Sequence, residues 1–210
     1  GDNQGMNYDK RSDMGFEKEE IEDFRLFLRT CARMSLYNAL DQDWFNRIVP
    51  GARRLIGCDQ GNAAHLEGDA AIHTSLVFEN LISVSHARLG REPDEMEKLA
   101  VILHDLKKPD HRVQALDGSV MFPGHEEAAA RMVPRIAASL ELSEEEHRKL
   151  LFLVANHGEI HDWPRLSAER QTELRASPWI QSLAVMQQAD AASCLMPGGG
   201  GLPVHWDAVN

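Results

Sequence analysis

The chain has 210 residues, of which 43% are hydrophobic, and its 33 acidic residues outnumber its 22 basic residues to give a formal net charge of −11. A negative field of that size disfavours nucleic acid as a partner. No apolar run approaches the ~18 residues that span a bilayer and no basic-then-apolar leader opens the chain, so we expect no membrane partner and a cytoplasmic protein.

Three regions are predicted along the chain. Residues 1–15 are polar and aperiodic, which predicts a mobile N-terminal segment. Residues 16–196 predict a single domain, and residues 197–210, which contain a run of glycines, predict a flexible tail. The cysteines are odd in number and far apart in sequence, which argues against a disulfide framework or a zinc ribbon.

Apolar residues recur at helical spacing throughout the predicted domain. One helix is predicted over 17–40. The segment 43–57 is interrupted by Pro50-Gly51, which predicts either two short helices or one kinked helix. Further helices are predicted over 69–89, 94–106, 125–140, 143–157 and 178–195. Because no segment alternates as a strand does, the sequence predicts an all-α fold, a bundle of eight or so helices without a sheet.

Capping signals set several of these boundaries. Asp94 with Glu97 predicts a capping box at the start of the helix 94–106, and Ser143 predicts another at the start of 143–157. Pro109 is predicted to end the first of these two helices. Gly158 is predicted to be the C-terminal stop of the second.

A histidine and an aspartate, His104 and Asp105, interrupt the apolar helical stretch LAVILHDLKKP. Burial of an ionised carboxylate without a partner costs several kcal/mol or more. Asp105 must therefore be paired, hydrogen-bonded or bound to a cation.

Four other ionisable residues lie on mostly apolar predicted helices: His73, His125, His157 and Asp190. Imidazole and carboxylate are ligands that suit divalent ions, and packed helices bring distant segments to one point. The order H…HD…H…H…D over five segments therefore predicts a metal site rather than six independently satisfied core groups.

The remaining histidines show no such pattern. His125-Glu126 begins like the H-E-x-x-H motif of metalloprotease helices. Position 129 is alanine, however, so the second histidine of that motif is missing. His157 and His161 are four residues apart, yet the helix stop predicted at Gly158 argues against a shared face. Surface or structural roles are predicted for the other histidines: His65, His86, His111, His147 and His205.

Together these segments resemble the HD superfamily of metal-dependent phosphohydrolases. The segments WFNRIVPGARRLIGCDQ, HLEGDAAIHTSLVFENL, LAVILHDLKKP, FPGHEEAAARMVPRIAASLEL and LLFLVANH are similar, in order, to the HD domain carried by some bacterial tRNA nucleotidyltransferases. The resemblance covers about residues 43–195 and implies that residues 16–196 form a single HD domain. The nucleotidyltransferase head has no counterpart in the first 42 residues, so CCA addition is not predicted for the chain.

The resemblance implies one or two divalent metal ions, of Mn, Fe, Ni, Mg or Zn, and a set of ligands. The first ion would be bound by His73, His104, Asp105 and Asp190. Asp105 would bridge to a second ion that is bound by His125 and His157. Lys108 matches a phosphate-contacting lysine of the family, whereas Lys107 stands where the family commonly has glycine.

The predicted function is hydrolysis of a phosphate ester, either a nucleotide, a cyclic phosphodiester or a phosphomonoester, by a metal-activated water. Asp105 and Lys108 are the predicted catalytic residues, and Lys108, His111, Arg112 and Arg131 are the predicted substrate-binding residues. The same ligand order can hold two irons that activate oxygen, so a di-iron oxygenase stays an alternative. A non-catalytic, metal-stabilised nucleotide-binding module is another, and oligomeric state is left open.

Overall fold

The structure is a computed structural model that describes residues 15–61, 63–199 and 202–209. The N-terminal segment predicted to be mobile lies outside these ranges except for its last residue. The α-helices are α1 (Lys18–Thr30), α2 (Arg33–Ala39), α3 (Asp43–Ile48), α4 (Ala70–Leu89), α5 (Glu95–His104), α6 (Lys108–His111), α7 (His125–Ser139), α8 (Glu144–Ile160), α9 (Ala168–Arg175) and α10 (Ile180–Ser193). Short 3₁₀ turns cover Ala52–Leu55, Trp163–Arg165 and Trp206–Val209. The predicted all-α class is confirmed.

Side-chain caps fix where the longer helices begin. Asp94 accepts a hydrogen bond from the Glu97 amide and Glu97 bonds back to the Asp94 amide, so the predicted capping box of α5 is confirmed. The box predicted at Ser143 opens α8 in the same way. Asp69 caps α4 by accepting from the backbone N–H of Ile72.

The single helix predicted over 17–40 is wrong, because the chain breaks into α1 and α2. Cys31 and Ala32 are extended, with ψ of 147° and 174° respectively. The buried ammonium of Lys98 donates to the carbonyl of Arg29 at 3.1 Å and thereby satisfies one of the last carbonyls of α1. The helical spacing of apolar residues continues across this break, so that spacing alone could not predict where α1 ends and α2 begins.

Three smaller predictions are also wrong. Between α6 and α7 the chain forms an antiparallel hairpin, with β1 (Val113–Gln114) paired to β2 (Val120–Met121), where no sheet was predicted. Helix α5 ends at His104, and Pro109 lies inside the short helix α6 instead of ending α5. Gly158 lies within α8, since that helix continues to Ile160.

The core is formed chiefly by the apolar faces of α4, α5, α8 and α10. Phe78, Leu99, Leu153 and Leu183, one from each helix, have no exposed surface. Burial of each such side chain contributes about 1.5–3 kcal/mol. Helix α10 packs along α4, α5 packs on α4 and α8, and α7 packs on α8. Four helices thus converge on one buried volume.

Three further features of the described residues concern the character of the helices, the cysteines and the C-terminal region. In the described ranges, no helix combines the length and the apolar character that crossing a membrane requires. Cys31, Cys58 and Cys194 are buried free thiols. Trp206 and Val209, in the region predicted to be a flexible tail, pack against the core. The flexibility and the domain boundary predicted there stay predictions.

Candidate metal centre

The central buried cluster lies where α4, α5 and α10 meet. His73 projects from α4, His104 is the last residue of α5, Asp105 follows it, and Asp190 projects from α10. His73 Nε2 lies 2.8 Å from Asp190 Oδ1 and 3.6 Å from Asp105 Oδ2. His104 Nε2 lies 3.2 Å from Asp105 Oδ2 and 3.7 Å from Asp190 Oδ1. Two imidazoles and two carboxylates therefore face one small volume.

A second set of donor atoms lies on the other side of Asp105. His125, the first residue of α7, places Nε2 at 3.4 Å from Asp105 Oδ1. His157 projects from α8, and its ring centroid is 5.2 Å from that of His104 and 6.2 Å from that of His125. Asp105, His125 and His157 each offer a ligand atom, and these three atoms lie within 4.8 Å of one another. The two oxygens of Asp105 thus face two adjacent donor sets.

All four imidazoles present Nε2 to the cluster because Nδ1 is bonded elsewhere. His73 Nδ1 donates to Glu67 Oε1 at 2.8 Å. The other three rings donate from Nδ1 to the carbonyl three residues earlier, which belongs to Val101, Phe122 and Val154 for His104, His125 and His157 respectively. A carbonyl oxygen only accepts, so Nδ1 carries the hydrogen and the neutral ring keeps a lone pair on Nε2. This is the arrangement that orients histidines as metal ligands.

Two buried atoms of the cluster have polar or charged neighbours but make no well-oriented hydrogen bond within the described residues. They are His104 Nε2 and Asp105 Oδ2, on residues that are 1% and 3% exposed. A buried polar atom left without a partner costs about 1–3 kcal/mol. A cation between these atoms would satisfy both, so the residues present fit a divalent metal ion.

The electrostatics of the cluster also favour added positive charge. Burial opposes ionisation of Asp105, but the charges of His104 and Lys108 outweigh it and hold the pKa of Asp105 well below its usual range. Burial likewise opposes charge on His104, yet Asp105 and Asp190 raise the pKa of His104 to about 10. Burial and the charge of His104 lower the pKa of His157 to about 3. In the metal-free cluster the two carboxylates are therefore balanced by Lys108 and by the proton held on His104, and a divalent cation would take the place of that proton.

Lys108 lies at the edge of the cluster. Its side chain is 9% exposed, and its Nζ lies 3.0 Å from Asp105 Oδ2. Nζ also donates to Gln60 Oε1 at 2.6 Å and lies 5.0 Å from the centroid of the Phe122 ring. The side-chain nitrogen of Gln60, which is itself buried, has no partner among the described residues. An ammonium group is therefore held beside the carboxylate that the two donor sets share.

The other residues predicted to bind substrate lie farther out. His111 donates from Nδ1 to the carbonyl of Pro123 at 2.9 Å. Arg112 donates from Nε to the carbonyl of Asp59 at 2.8 Å. Arg131 is an exposed residue of α7. None of the three has a described contact with the six clustered residues, and their binding roles stay predictions.

Sequence reasoning missed two residues that contact the clustered side chains. Glu67, in the polar loop before α4, accepts from the Nδ1 atoms of both His65 and His73 at 2.8 Å. His161 Nε2 lies 2.8 Å from Asp190 Oδ2. The signal for His161 was its spacing of four residues from His157, which the helix stop wrongly predicted at Gly158 had discounted.

Comparison with known proteins gives one partial relationship. No protein-family model matches the chain. The chain is similar to a multifunctional CCA protein of Alkalilimnicola ehrlichii, with 34% identity over 139 residues. The similarity covers 65% of this chain and 29% of that protein. The chain therefore spans less than a third of the length of this relative.

Proposed function

We propose that the chain is an HD-type phosphohydrolase that uses one or two divalent metal ions to hydrolyse a phosphate ester. The observation that carries the proposal is the position of Asp105, whose two oxygens face two histidine sets while a lysine ammonium lies 3.0 Å from one of them. The ligand order along the chain and the partial similarity to the multifunctional CCA protein support the HD assignment. The proposal does not extend to CCA addition, because the similarity covers 29% of that relative.

The six clustered residues would bind the metal ions, and Lys108 would have a separate role. His73, His104, Asp105 and Asp190 would hold one ion, and Asp105 with His125 and His157 would hold the other. When bound, the ions would polarise a phosphoryl oxygen and lower the pKa of a coordinated water. Lys108, already buried beside Asp105, would neutralise charge that develops on the non-bridging phosphoryl oxygens. In the reaction a bond forms from water oxygen to phosphorus, the ester P–O bond breaks, and the alcohol leaves with a proton.

The chain's own side chains prepare this site before any ligand arrives. The Nδ1 tethers fix each ring with Nε2 inward, so little conformational freedom is lost when a cation binds. The low exposure of His73, His104 and His157 excludes bulk water and keeps the effective dielectric low. A phosphate group, which is anionic, would be attracted to this volume only after cations balance the carboxylates.

The test is hydrolysis of a panel of nucleotides, cyclic nucleotides and simple phosphate esters, with Mn²⁺, Mg²⁺, Ni²⁺, Zn²⁺ or Fe²⁺ added. It is followed as released phosphate for the monoesters and as ring-opened nucleotide for the cyclic phosphodiesters. Wild type is compared with Asp105→Ala and with Asp105→Asn, which preserves the shape of the side chain. Asp23→Asn, an exposed position on α1, is the matched control. We expect turnover in wild type and in the control, and loss of both turnover and metal binding in Asp105→Ala.

The alternatives give different results in the same experiment. Turnover retained by folded Asp105→Ala would refute the site. Metal-loaded wild type that hydrolyses no member of the panel would refute the phosphohydrolase. An oxygen-dependent spectral change in anaerobically iron-loaded protein would then point to the di-iron oxygenase, and tight nucleotide binding without product would point to the binding module.

A further inference from the structure

Asp190 has two oxygens that face in different directions. Oδ1 lies 2.8 Å from His73 Nε2, toward the cluster, and Oδ2 lies 2.8 Å from His161 Nε2, on the opposite side. His161 is the C-cap residue that directly follows α8. The state of His161 therefore determines what Asp190 Oδ2 is bonded to, and through it how the Asp190 carboxylate is held.

The orientation of the Gln187 side-chain amide is fixed by two backbone groups. Its Nε2 lies 2.9 Å from the carbonyl oxygen of Pro203, and its Oε1 lies 3.1 Å from the backbone nitrogen of His205. A carbonyl only accepts and a backbone N–H only donates, so the amide cannot be reversed without the loss of both bonds. Gln187 is 1% exposed, which leaves water no access to replace them.

This orientation determines the tautomer of His161. Gln187 Nε2, which is a donor, lies 3.1 Å from His161 Nδ1. Nδ1 must then accept, and in the neutral ring the hydrogen is carried by Nε2, which donates to Asp190 Oδ2. Each hydrogen of the Gln187 NH₂ group has one acceptor, so this set of hydrogen bonds is complete.

We propose that Gln187 is a positioning residue that keeps His161 as the Nε2–H tautomer, and that the C-terminal residues 203–205 hold Gln187 in place for this purpose. Asp190 Oδ2 is thereby occupied by a neutral donor, and Oδ1 is left for a cation in the cluster. The tautomer stands independently of the proposed function, whereas the effect on a cation rests on the proposed metal centre.

The C-terminal segment has further contacts that keep it against α8 and α10. His205 Nε2 donates to the carbonyl of His161 at 2.9 Å, and the Leu202 N–H donates to the carbonyl of Ala191 at 3.3 Å. Trp206 stacks under the guanidinium of Arg88, 4.4 Å from the ring centroid. These contacts come from three parts of the segment. Together they hold the segment against the side of the cluster on which Asp190 lies.

The first measurement needs no variant. Long-range ¹H–¹⁵N correlation spectra of the metal-free, full-length wild type report which ring nitrogen of His161 carries hydrogen, and His161→Gln assigns the signal. The expected result is a protonated Nε2 and an unprotonated Nδ1. A neutral ring with hydrogen on Nδ1 would overturn the proposal, whatever the protein does with metal or substrate.

The second measurement tests the consequence for the metal centre. In Gln187→Glu, a carboxylate faces His161 Nδ1 and draws a hydrogen to it, and Gln187→Leu removes the donor altogether. We expect each variant to bind Mn²⁺ 10–100-fold more weakly than wild type in calorimetric titration, the range seen for residues that orient ligands. Gln181→Glu, an exposed position on the same helix, is the matched control for charge.

The outcomes separate this proposal from the proposed function. Unchanged Mn²⁺ affinity in both folded Gln187 variants would refute the positioning role. Absence of Mn²⁺ binding by wild type with the expected tautomer would refute the proposed metal centre and leave the tautomer assignment intact. Weaker binding in the Gln187 variants but not in Gln181→Glu would support both.

Discussion

Glu67 is the side chain whose replacement tests most sharply how the candidate metal centre is oriented. Its carboxylate is 1% exposed and accepts three hydrogen bonds, from His65 Nδ1 and His73 Nδ1 at 2.8 Å and from the Leu195 amide at 3.0 Å. Glu67→Gln has nearly the same shape but only one acceptor oxygen. If the amide oxygen faces the two histidines, the NH₂ group faces the Leu195 N–H, and two donors then meet. If the amide is reversed, the NH₂ group faces the Nδ1–H donors of both rings.

The expected loss follows from these contacts. At least one hydrogen bond to a charged acceptor disappears, which costs about 1.5–3 kcal/mol of unfolding free energy. If the amide reverses, His73 is forced toward the wrong tautomer and divalent metal binds about 10–100-fold more weakly. The range corresponds to about 1.4–2.7 kcal/mol of binding free energy.

Calorimetric titration with Mn²⁺ and urea unfolding of the metal-free protein measure the two losses separately. The control is Glu79→Gln, an exposed residue of α4 that pairs with Arg33 at 3.0 Å and should change neither quantity by more than about 1 kcal/mol. Wild-type values of both Mn²⁺ affinity and unfolding free energy in Glu67→Gln would refute the argument that Glu67 sets the orientation of His73.

Two further predictions concern a buried carboxylate and the lysine at the cluster edge. Burial opposes ionisation of Glu97, but hydrogen bonds from Arg91 and the Asp94 amide hold its pKa below the usual value. Its stabilisation, about 1.5–3 kcal/mol, is therefore present above the unfolded-state pKa of about 4.3 and is lost as pH falls through the folded-state pKa. The difference in unfolding free energy between wild type and Glu97→Gln, measured in urea, should be largest near neutral pH and should disappear in acid. A difference that does not depend on pH would contradict this prediction. Gln60→Leu removes the acceptor 2.6 Å from Lys108 Nζ and should lower kcat on the order of tenfold with unchanged Mn²⁺ affinity; an unchanged kcat in steady-state assays would show that Gln60 does not position the lysine.

The sequence predicted the clustering of residues because burial constrains ionisable groups strongly. His73, His104 and Asp190 each interrupt an apolar helical stretch, and such residues must meet a partner in the core. Because the helices pack in one core, burial alone is enough to predict that these residues lie close to one another. The all-α class followed from the same periodicity. The ligand roles of these residues remain predictions until an ion is observed on them.

What the sequence did not reveal depends on local geometry and on loops. Gly158 was predicted to stop α8, but a glycine inside a helix costs only about 1 kcal/mol, which packing can offset. A Cβ at position 158 would overlap only the carboxylate of Glu126, the end of a flexible side chain on α7 that can move aside. With α8 continuing to Ile160, His161 follows one turn after His157 and reaches Asp190.

Glu67 and the residues 203–205 had no pattern that sequence reasoning recognises. They lie in irregular segments, where neither helical nor strand periodicity applies. Glu67 contacts Leu195 and the residues 203–205 contact Gln187, and both contacts join distant parts of the chain. The hairpin of β1 and β2 has only two residues in each strand, which is too short for alternation to be detected. Such features are fixed by tertiary packing and become visible only in the structure.

The most direct test of the central claim is anomalous diffraction from crystals of the full chain grown with Mn²⁺. We predict a peak bound by His73, His104, Asp105 and Asp190, and a second peak between Asp105, His125 and His157 if two ions bind. A crystal equilibrated with saturating Mn²⁺ that shows no peak beside Asp105 would contradict the account.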